Sequence, residues 1–193
     1  MKPPLFDYYD PATEDETLAL LAEFGTDAKI LAGGQSLMPL LNMRLVEPAV
    51  LIDINRVETL SGIREQADEL AIGALARQHH VEQSGAVQRH FPLLCEVLPH
   101  VGYPQIRHRG TLGGSLVHAD PSAELPAVMT VLEAEFEVRS QQGQRVLHPQ
   151  TFFESYLTTA LEPEELLYEI RIPYLPPRTG SAFMEVARVA GAV

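Results

Sequence analysis

Cysteine, lysine and long apolar runs are scarce in this chain of 193 residues, and each scarcity excludes a class of protein. The single cysteine, Cys95, excludes an internal disulfide and any four-cysteine metal or iron–sulfur site within the chain. Lysine occurs only at Lys2 and Lys29, and the formal net charge is −12, so the basic surface that nucleic acid requires is missing. No apolar run approaches the roughly 20 residues of a membrane-spanning helix, and the N-terminus leads into no signal segment. We therefore expect a cytoplasmic protein without a membrane span.

Three well-defined site fingerprints are also absent from the sequence. There is no G-x-x-x-x-G-K-[ST] phosphate loop and no G-x-G-x-x-G dinucleotide fingerprint after a strand. The G-x-S-x-G turn of serine hydrolases is absent as well. The composition, 46% apolar and 21% charged, is that of an ordinary globular protein.

The first part of the chain, residues 1–56, predicts a small α/β lobe. Thr13 and Glu16 have the T-x-x-E spacing of a capping box, which predicts a helix over residues 14–24 that ends near Gly25. Short buried strands are predicted at 29–32 and 49–54, with a short helix at 36–41 between them. Strands and helices in this order favour some parallel pairing.

The second part, residues 57–175, predicts an α+β lobe with a largely antiparallel sheet. The predicted strands are 60–64, 69–73, 133–139, 145–148 and 166–172, and the predicted helices are 77–84, 87–98, 121–130 and 152–158. Residues 176–193 are expected to begin a further C-terminal domain that is missing from this chain.

Two glycine pairs, one in each predicted lobe, carry the strongest functional signal. Gly33 and Gly34 precede Gln-Ser-Leu, and Gly113 and Gly114 precede Ser-Leu. Such a pair is either a tight turn that needs positive φ or a loop whose backbone N–H groups face an anion. Two such loops could hold the two anionic groups of a diphosphate without lysine side chains, and a helix N-terminus would strengthen each site.

The stretches "LAGGQSLMPLLNMRL" and "QIRHRGTLGGSLVHADPSAELP" resemble the FAD-binding medium subunit of molybdenum hydroxylases. That family includes the carbon monoxide dehydrogenase medium subunit and the FAD-binding subunit of xanthine dehydrogenase. The similarity extends from about Phe6 to Arg188 and includes "EELLYEIRIP". The resemblance implies the two-lobed FAD-binding fold of the vanillyl-alcohol oxidase (PCMH-type) superfamily, with FAD extended between the lobes.

The resemblance also implies a set of cofactor-binding residues and no catalytic side chain or metal ligand in this chain. The first loop would wrap the pyrophosphate and the second would close on it from the other lobe. His118 and Val101 would lie near the flavin, Glu124 would accept hydrogen bonds from the cofactor, and Leu167 would pack on it. Alternatively, Glu124 only caps a helix, and Val101 and Leu167 are only core. The implied cofactor-binding residues are Lys29, Ile30, Leu31, Ala32, Gly33, Gly34, Gln35, Ser36, Val101, Gly110, Thr111, Gly113, Gly114, Ser115, His118, Glu124 and Leu167.

The implied function is electron transfer through FAD as one subunit of an oxidoreductase. A large subunit with molybdenum cofactor would oxidise the substrate, and a small subunit with [2Fe-2S] clusters would relay electrons to this flavin. The heterotrimer could pair as a homodimer. Two alternatives stay open: a truncated interaction module that keeps the fold without FAD, and an oxidase that uses FAD alone.

The resemblance weakens at the C-terminal end. The family continues beyond Arg188 with a Gly-Asp-aromatic stretch and a further domain, whereas this chain has Val193 at the aromatic position. Some relatives have a lysine where this chain has Met184. From these departures we expect incomplete cover of the flavin ring and no activity of the chain alone.

Overall fold

The computed structural model describes residues 2–186, and its first sheet is small and entirely parallel. The strands are β1 (Asp7–Tyr9), β2 (Ala28–Leu31) and β3 (Val50–Asp53), in the order β1-β3-β2. The connecting helices are α1 (Glu14–Phe24) and α2 (Leu37–Met43). Because β2 and β3 run in the same direction, the residues that follow them meet at one edge of the sheet.

The ends of α1 follow from local sequence. The Thr13 hydroxyl accepts the Glu16 N–H, and the Glu16 carboxylate accepts the Thr13 N–H, so the predicted capping box is confirmed. Gly25, at φ 49°, ends the helix with its N–H donated to the Leu21 carbonyl. These two ends confirm the helix that the sequence predicts.

A second sheet of five strands has only antiparallel pairs, in the order β4-β5-β10-β6-β7. Strand β10 lies at its centre and is largely buried. A short hairpin, β8–β9, lies outside this sheet. The ranges are β4 (Ile63–Glu65), β5 (Glu69–Gly73), β6 (Glu135–Ser140), β7 (Gly143–Leu147), β8 (Phe153–Ser155), β9 (Thr158–Thr159) and β10 (Leu166–Pro173).

Short helices pack on the second sheet and enclose the larger core, in which Phe91, Phe136 and Phe152 are fully buried. Within residues 2–186, no helix combines the length and the hydropathy needed to cross a bilayer. The helices are α3 (Gln78–Gln83), α4 (Gly85–His90), α5 (Pro92–Val97), α6 (Pro104–Arg109), α7 (Leu112–His118), α8 (Glu124–Val131) and α9 (Pro149–Phe152).

An arginine on the second sheet ties α1 to that sheet. Arg139 donates from Nη1 to both carboxylate oxygens of Glu14, at 2.8 and 2.9 Å, and its guanidinium lies 3.2 Å from the centre of the Tyr168 ring. Since Glu14 belongs to α1, this contact joins α1 to the antiparallel sheet. Neither residue belongs to a glycine pair.

The α+β class and the two kinds of sheet are confirmed, and two helix predictions are wrong in detail. The helix predicted at 87–98 breaks at Phe91, because Pro92 starts a new helix there. The segment 152–158 is no helix: α9 ends at Phe152 and the β8–β9 hairpin follows. The lobe limit at residue 56 stays a prediction, because the core of the first lobe also includes Leu60, Leu75 and Leu166.

Candidate functional site

The two segments that carry the glycine pairs touch each other. Glycine loop 1 (residues 32–37) leaves the carboxyl end of β2. Glycine loop 2 (residues 109–115) contains the end of α6, a short link and the first turn of α7, so the prediction of a loop at the second glycine pair is wrong: Gly113 and Gly114 are helical. A Cβ placed on Gly33 would lie 2.5 Å from the Arg109 carbonyl oxygen and 2.9 Å from the Gly110 Cα. The backbones therefore meet at a distance that only glycine allows at position 33.

Glycine loop 1 presents a run of unused hydrogen-bond donors. Within residues 2–186, the N–H groups of residues 33–37 donate to no protein acceptor. The loop carbonyls are used: Gly34 accepts from the Met38 N–H, Ser36 from the Leu40 N–H, and Gly33 from the Gln35 side chain at 3.0 Å. Consecutive N–H groups at the start of a helix form an anion-binding site, so this loop can hold a phosphate group.

In loop 2 the glycine N–H groups are paired within the protein, and Gly113 is required for packing. The Gly113 N–H donates to the Ala74 carbonyl at 2.9 Å, and the Gly114 N–H donates to the Thr111 hydroxyl at 3.0 Å. A Cβ on Gly113 would lie 2.6 Å from the Ala74 Cβ, so this glycine lets α7 pack on the chain after β5. Of the four paired glycines only Gly34 has positive φ, at 73°.

Loop 2 therefore offers fewer donors to an anion than loop 1. Within residues 2–186, the Thr111 N–H and the Ser115 hydroxyl have no hydrogen-bond partner, whereas the N–H groups of Gly113 and Gly114 are paired internally. Direct cofactor contact through the glycines of loop 2 stays a prediction, with Thr111 and Ser115 as the groups that remain to make it.

Two polar residues that the sequence did not single out connect the loops. Asn55, which follows β3, donates from Nδ2 to the Ala32 carbonyl at 2.8 Å and accepts from Arg77 Nη2 at 2.5 Å. Arg77 also donates from Nη1 to the carbonyl of Arg109. Burial and the nearby Arg109 charge lower the pKa of Arg77 from its usual value. No sequence motif marked either residue, because the contact joins positions far apart in the chain.

The other predicted site residues lie along α7 and α8. His118 ends α7 and is half-buried, and Glu124 begins α8 and is buried. Burial raises the pKa of the Glu124 carboxyl. Val101 and Leu167 belong to the larger hydrophobic core. The two core residues thus have a packing role whether or not they also meet a cofactor.

Asp120, two residues after His118, uses its carboxylate in the turn that follows α7. Asp120 Oδ1 accepts from the Ser122 N–H at 2.9 Å and from its hydroxyl at 2.7 Å, and these bonds lower the pKa of Asp120. In the described part of the chain, no group of three or more His, Cys, Asp or Glu side chains could hold a metal ion. Asp120 therefore shapes the turn before α8.

Arg107 was also missed and holds the segment that contains Val101. Its Nη1 donates to the carbonyls of Val101 and Gly102 at 3.3 and 3.2 Å, and its Nε donates to Glu82 at 3.3 Å. The side chain is almost fully buried, and its donors are used on this segment and on α3. Arg107 therefore fixes the position of Val101.

The last described residues lie against α5 and the segment that follows it. The Phe183 N–H donates to Glu96 at 3.4 Å, and His100 Nδ1 lies 3.4 Å from the Glu185 carboxylate. Met184 is exposed, and Lys29 is exposed on edge strand β2. The expectations about residues 188–193, including Val193, lie outside the described residues.

The arrangement of the two loops favours the interpretation as a binding site for a diphosphate-containing cofactor over the interpretation as turns without a ligand. Residues 33–37 supply neutral donors for an anion, and Gly33 brings loop 2 directly against them. Beyond loop 2, α7 leads to His118 and the chain then reaches the buried Glu124, which could meet polar groups elsewhere on the same cofactor. The loops can therefore bind a phosphorylated group in an acidic protein.

Comparison with known proteins gives a family and close structural relatives. A sequence profile described as "FAD binding domain in molybdopterin dehydrogenase" matches residues 4–175. The chain is 45% identical over 191 residues to the 6-hydroxypseudooxynicotine dehydrogenase complex subunit alpha of Paenarthrobacter nicotinovorans. It is 47% identical over 192 residues to the caffeine dehydrogenase subunit beta of Pseudomonas sp. strain CBB1. Both matches cover 99% of this chain, which spans 64% and 65% of those relatives, respectively.

A solved structure agrees with the sequence matches. The structure of carbon monoxide dehydrogenase from Hydrogenophaga pseudoflava superposes with a TM-score of 0.96 at 40% identity. The superposition covers 99% of this chain and 67% of the matching chain. The fold family implied by the two glycine motifs is thereby confirmed.

Proposed function

The chain belongs to the family of FAD binding domains in molybdopterin dehydrogenases, and from that premise we propose that it binds FAD and passes electrons through it. In this proposal it acts as the flavoprotein component of an oxidoreductase. FAD, when bound, supplies the electron-accepting and electron-donating chemistry, while the protein positions it and tunes its potential.

Among the described residues, the N–H groups of residues 33–37 have no acceptor, and this is the observation that carries the proposal. A diphosphate is anionic and needs several donors, and these groups are neutral, fixed by the backbone and adjacent to loop 2. A group with a single phosphate would leave the second loop without a ligand. We therefore favour FAD over FMN.

Each remaining residue has a proposed task of binding or covering. Thr111 and Ser115 would donate to the second phosphate, and Glu124 would accept from hydroxyl or amine groups of the cofactor. His118 would lie near the flavin. Val101 and Leu167 would exclude water with their apolar side chains. No side chain of this chain is needed as a general base.

The partners are proposed by extension from the relatives. A large subunit with molybdenum cofactor would oxidise the substrate, and a small subunit with [2Fe-2S] clusters would deliver electrons to FAD. One relative is described as a subunit of a dehydrogenase complex, and the family description itself refers to molybdopterin dehydrogenases. We propose a cytoplasmic complex of these three subunits, in which the terminal acceptor takes electrons from FAD.

Binding of flavin by the purified chain tests the proposal. Titration with FAD should quench flavin fluorescence, and FMN should bind at least about tenfold more weakly, equivalent to roughly 1.4 kcal/mol. In an amide NMR spectrum, FAD should shift the signals of residues 33–37, and inorganic pyrophosphate should shift the same group.

The negative outcomes are also specific. Failure to bind either flavin would support an interaction module without cofactor. Equal affinity for FAD and FMN would reject the argument from two phosphate loops. Rapid turnover with oxygen, without any partner subunit, would instead indicate an oxidase that uses FAD alone.

A further inference from the structure

We infer that Asn55 and Arg77 form a bridge that sets the separation of the two glycine loops, so that donors from both loops reach one cofactor. The inference rests on the proposed function and assigns both side chains as positioning residues. Neither belongs to a glycine loop, and neither was expected to bind the cofactor.

The bridge is a continuous chain of hydrogen bonds across the two loops. Asn55 Nδ2 donates to the carbonyl of Ala32 in loop 1 at 2.8 Å, and Asn55 Oδ1 accepts from Arg77 Nη2 at 2.5 Å. Arg77 Nη1 donates to the Arg109 carbonyl in loop 2. That same carbonyl oxygen faces Gly33, so the connection returns to loop 1 by direct contact.

The backbone of Arg77 is fixed to loop 2 as well. Arg77 forms an isolated antiparallel bridge with Thr111. The Gln78 N–H donates to the Gly110 carbonyl, and the Leu112 N–H donates to the Ala76 carbonyl, both at 2.9 Å. Loop 2 is therefore rigidly tied to Arg77, and the Arg77 side chain is what connects this unit to Asn55.

The Asn55 side chain is oriented from the first sheet. Asp53 Oδ1 accepts from the Asn55 N–H at 2.9 Å and from Asn55 Nδ2 at 2.5 Å. Because Asp53 ends the central strand β3, the amide is held by the best-paired part of that sheet. The bridge thus joins one rigid support in each lobe, and the loops take their spacing from it.

A purely electrostatic role for Arg77 is the main alternative. The guanidinium is a permanent positive charge close to loops that are proposed to hold a diphosphate. Lysine would keep that charge, but its single ammonium cannot reproduce the planar fork that reaches Asn55 and the Arg109 carbonyl together. Arg77→Lys therefore separates the two roles.

The first test measures the FAD affinity of variants at Asn55 and Arg77 by fluorescence titration. Asn55→Ala and Arg77→Met should each weaken FAD binding by about tenfold or more, and the double variant should lose little beyond either single variant because the two side chains act as one unit. Arg77→Lys should behave like Arg77→Met. Full affinity in Arg77→Lys, or in both Asn55→Ala and Arg77→Met, would overturn the bridge.

Hydrogen exchange without FAD provides a readout that does not depend on the cofactor. Amides of Met38, Leu40 and residues 112–115, which donate hydrogen bonds in or beside the two loops, should exchange faster in Asn55→Ala and Arg77→Met than in the unmodified chain. Arg139→Met is the matched control, since it removes another arginine contact between the lobes, and it should lower stability without changing exchange in the loops or FAD affinity.

The two measurements separate failure of the bridge from failure of the proposed function. If the unmodified chain binds no FAD, the proposed function fails, and the exchange comparison still decides whether the bridge holds the loops. If FAD binds but exchange in the loops is the same in all variants, the bridge is refuted and the proposed function stands.

Discussion

Substitution of Gly33 by alanine is the sharpest test of how the two loops meet. The added methyl carbon would lie 2.5 Å from the Arg109 carbonyl oxygen, whereas ordinary van der Waals contact begins at 3.4 Å. The nearest atoms, the Arg109 carbonyl oxygen and the Gly110 Cα, both belong to the backbone, so no flexible side chain can move aside. The loops would have to separate by about 0.9 Å, and overpacking of this kind costs about 1–3 kcal/mol of folding free energy.

The same displacement should weaken FAD binding. A hydrogen bond to a charged group contributes about 1.5–3 kcal/mol, so losing the reach of one donor from either loop lowers affinity by roughly tenfold or more. For a domain of this size, each kcal/mol of lost stability lowers the melting temperature by about 2–4 °C. Gly33→Ala should therefore show both effects together.

Thermal unfolding and FAD fluorescence titration of the same samples check this prediction. Gly180→Ala is the matched control, because a Cβ at Gly180 meets no atom of residues 2–186 within 4 Å. It should leave both measurements unchanged. If Gly33→Ala melted and bound FAD like the Gly180 variant, the loops would not be in contact and the reasoning about their spacing would be wrong.

Three further predictions concern single side chains. Burial raises the pKa of Glu124, so the stability contributed by its protonated form is fully present below the unfolded pKa and is lost as pH rises through the folded pKa. The stability of Glu124→Gln relative to the unmodified chain should therefore increase as pH rises from 4 to 8 in denaturant titrations. A difference that stays constant over this range would contradict the prediction. The Tyr8 hydroxyl donates to Asp53 at 2.7 Å, which raises the pKa of Tyr8 to about 12; ultraviolet titration should show this tyrosine ionising near pH 12, and Asp53→Asn should move it back towards 10, whereas no movement would exclude the bond as the cause. Thr111 caps α7, so Thr111→Val should cost about 1 kcal/mol in chemical unfolding and Thr111→Ser much less; equal losses would show that the hydroxyl is not what matters.

Local signals in the sequence were sufficient for much of the fold. The Thr13–Glu16 capping box marks α1, and the apolar run at 49–54 marks β3, because each depends on neighbours in the chain. The segment 152–158 was assigned wrongly because its helix signal ends after Phe152, where a hairpin follows. Strand β1 was missed because its residues are exposed and carry no alternation of apolar and polar side chains.

In the candidate site, too, local signals could be predicted from the sequence and contacts between distant segments could not. The glycine pairs could be found because glycine itself is the signal, but the reason for each glycine could not. Gly113 is needed against Ala74 and Gly33 against Arg109, and these contacts join segments distant in sequence. Asn55 and Arg77 gave no signal, since an asparagine after a strand and an arginine before a helix are ordinary surface residues until the two lobes meet.

The net charge of −12 and the proposed anionic cofactor are compatible because binding depends on local donors rather than on the whole charge. Ions screen exposed carboxylates beyond about 8 Å at physiological salt, whereas backbone N–H groups act at hydrogen-bond distance. Residues 33–37 present such donors, and the Arg77 guanidinium, half-buried between the loops, adds a positive charge that cannot move away. The half-buried guanidinium is tolerated because the Asn55 side chain and the Arg109 carbonyl accept hydrogen bonds from it. In the proposed binding mode, the side chains proposed to space the loops would therefore also hold a positive charge close to a diphosphate in a protein with almost no lysine.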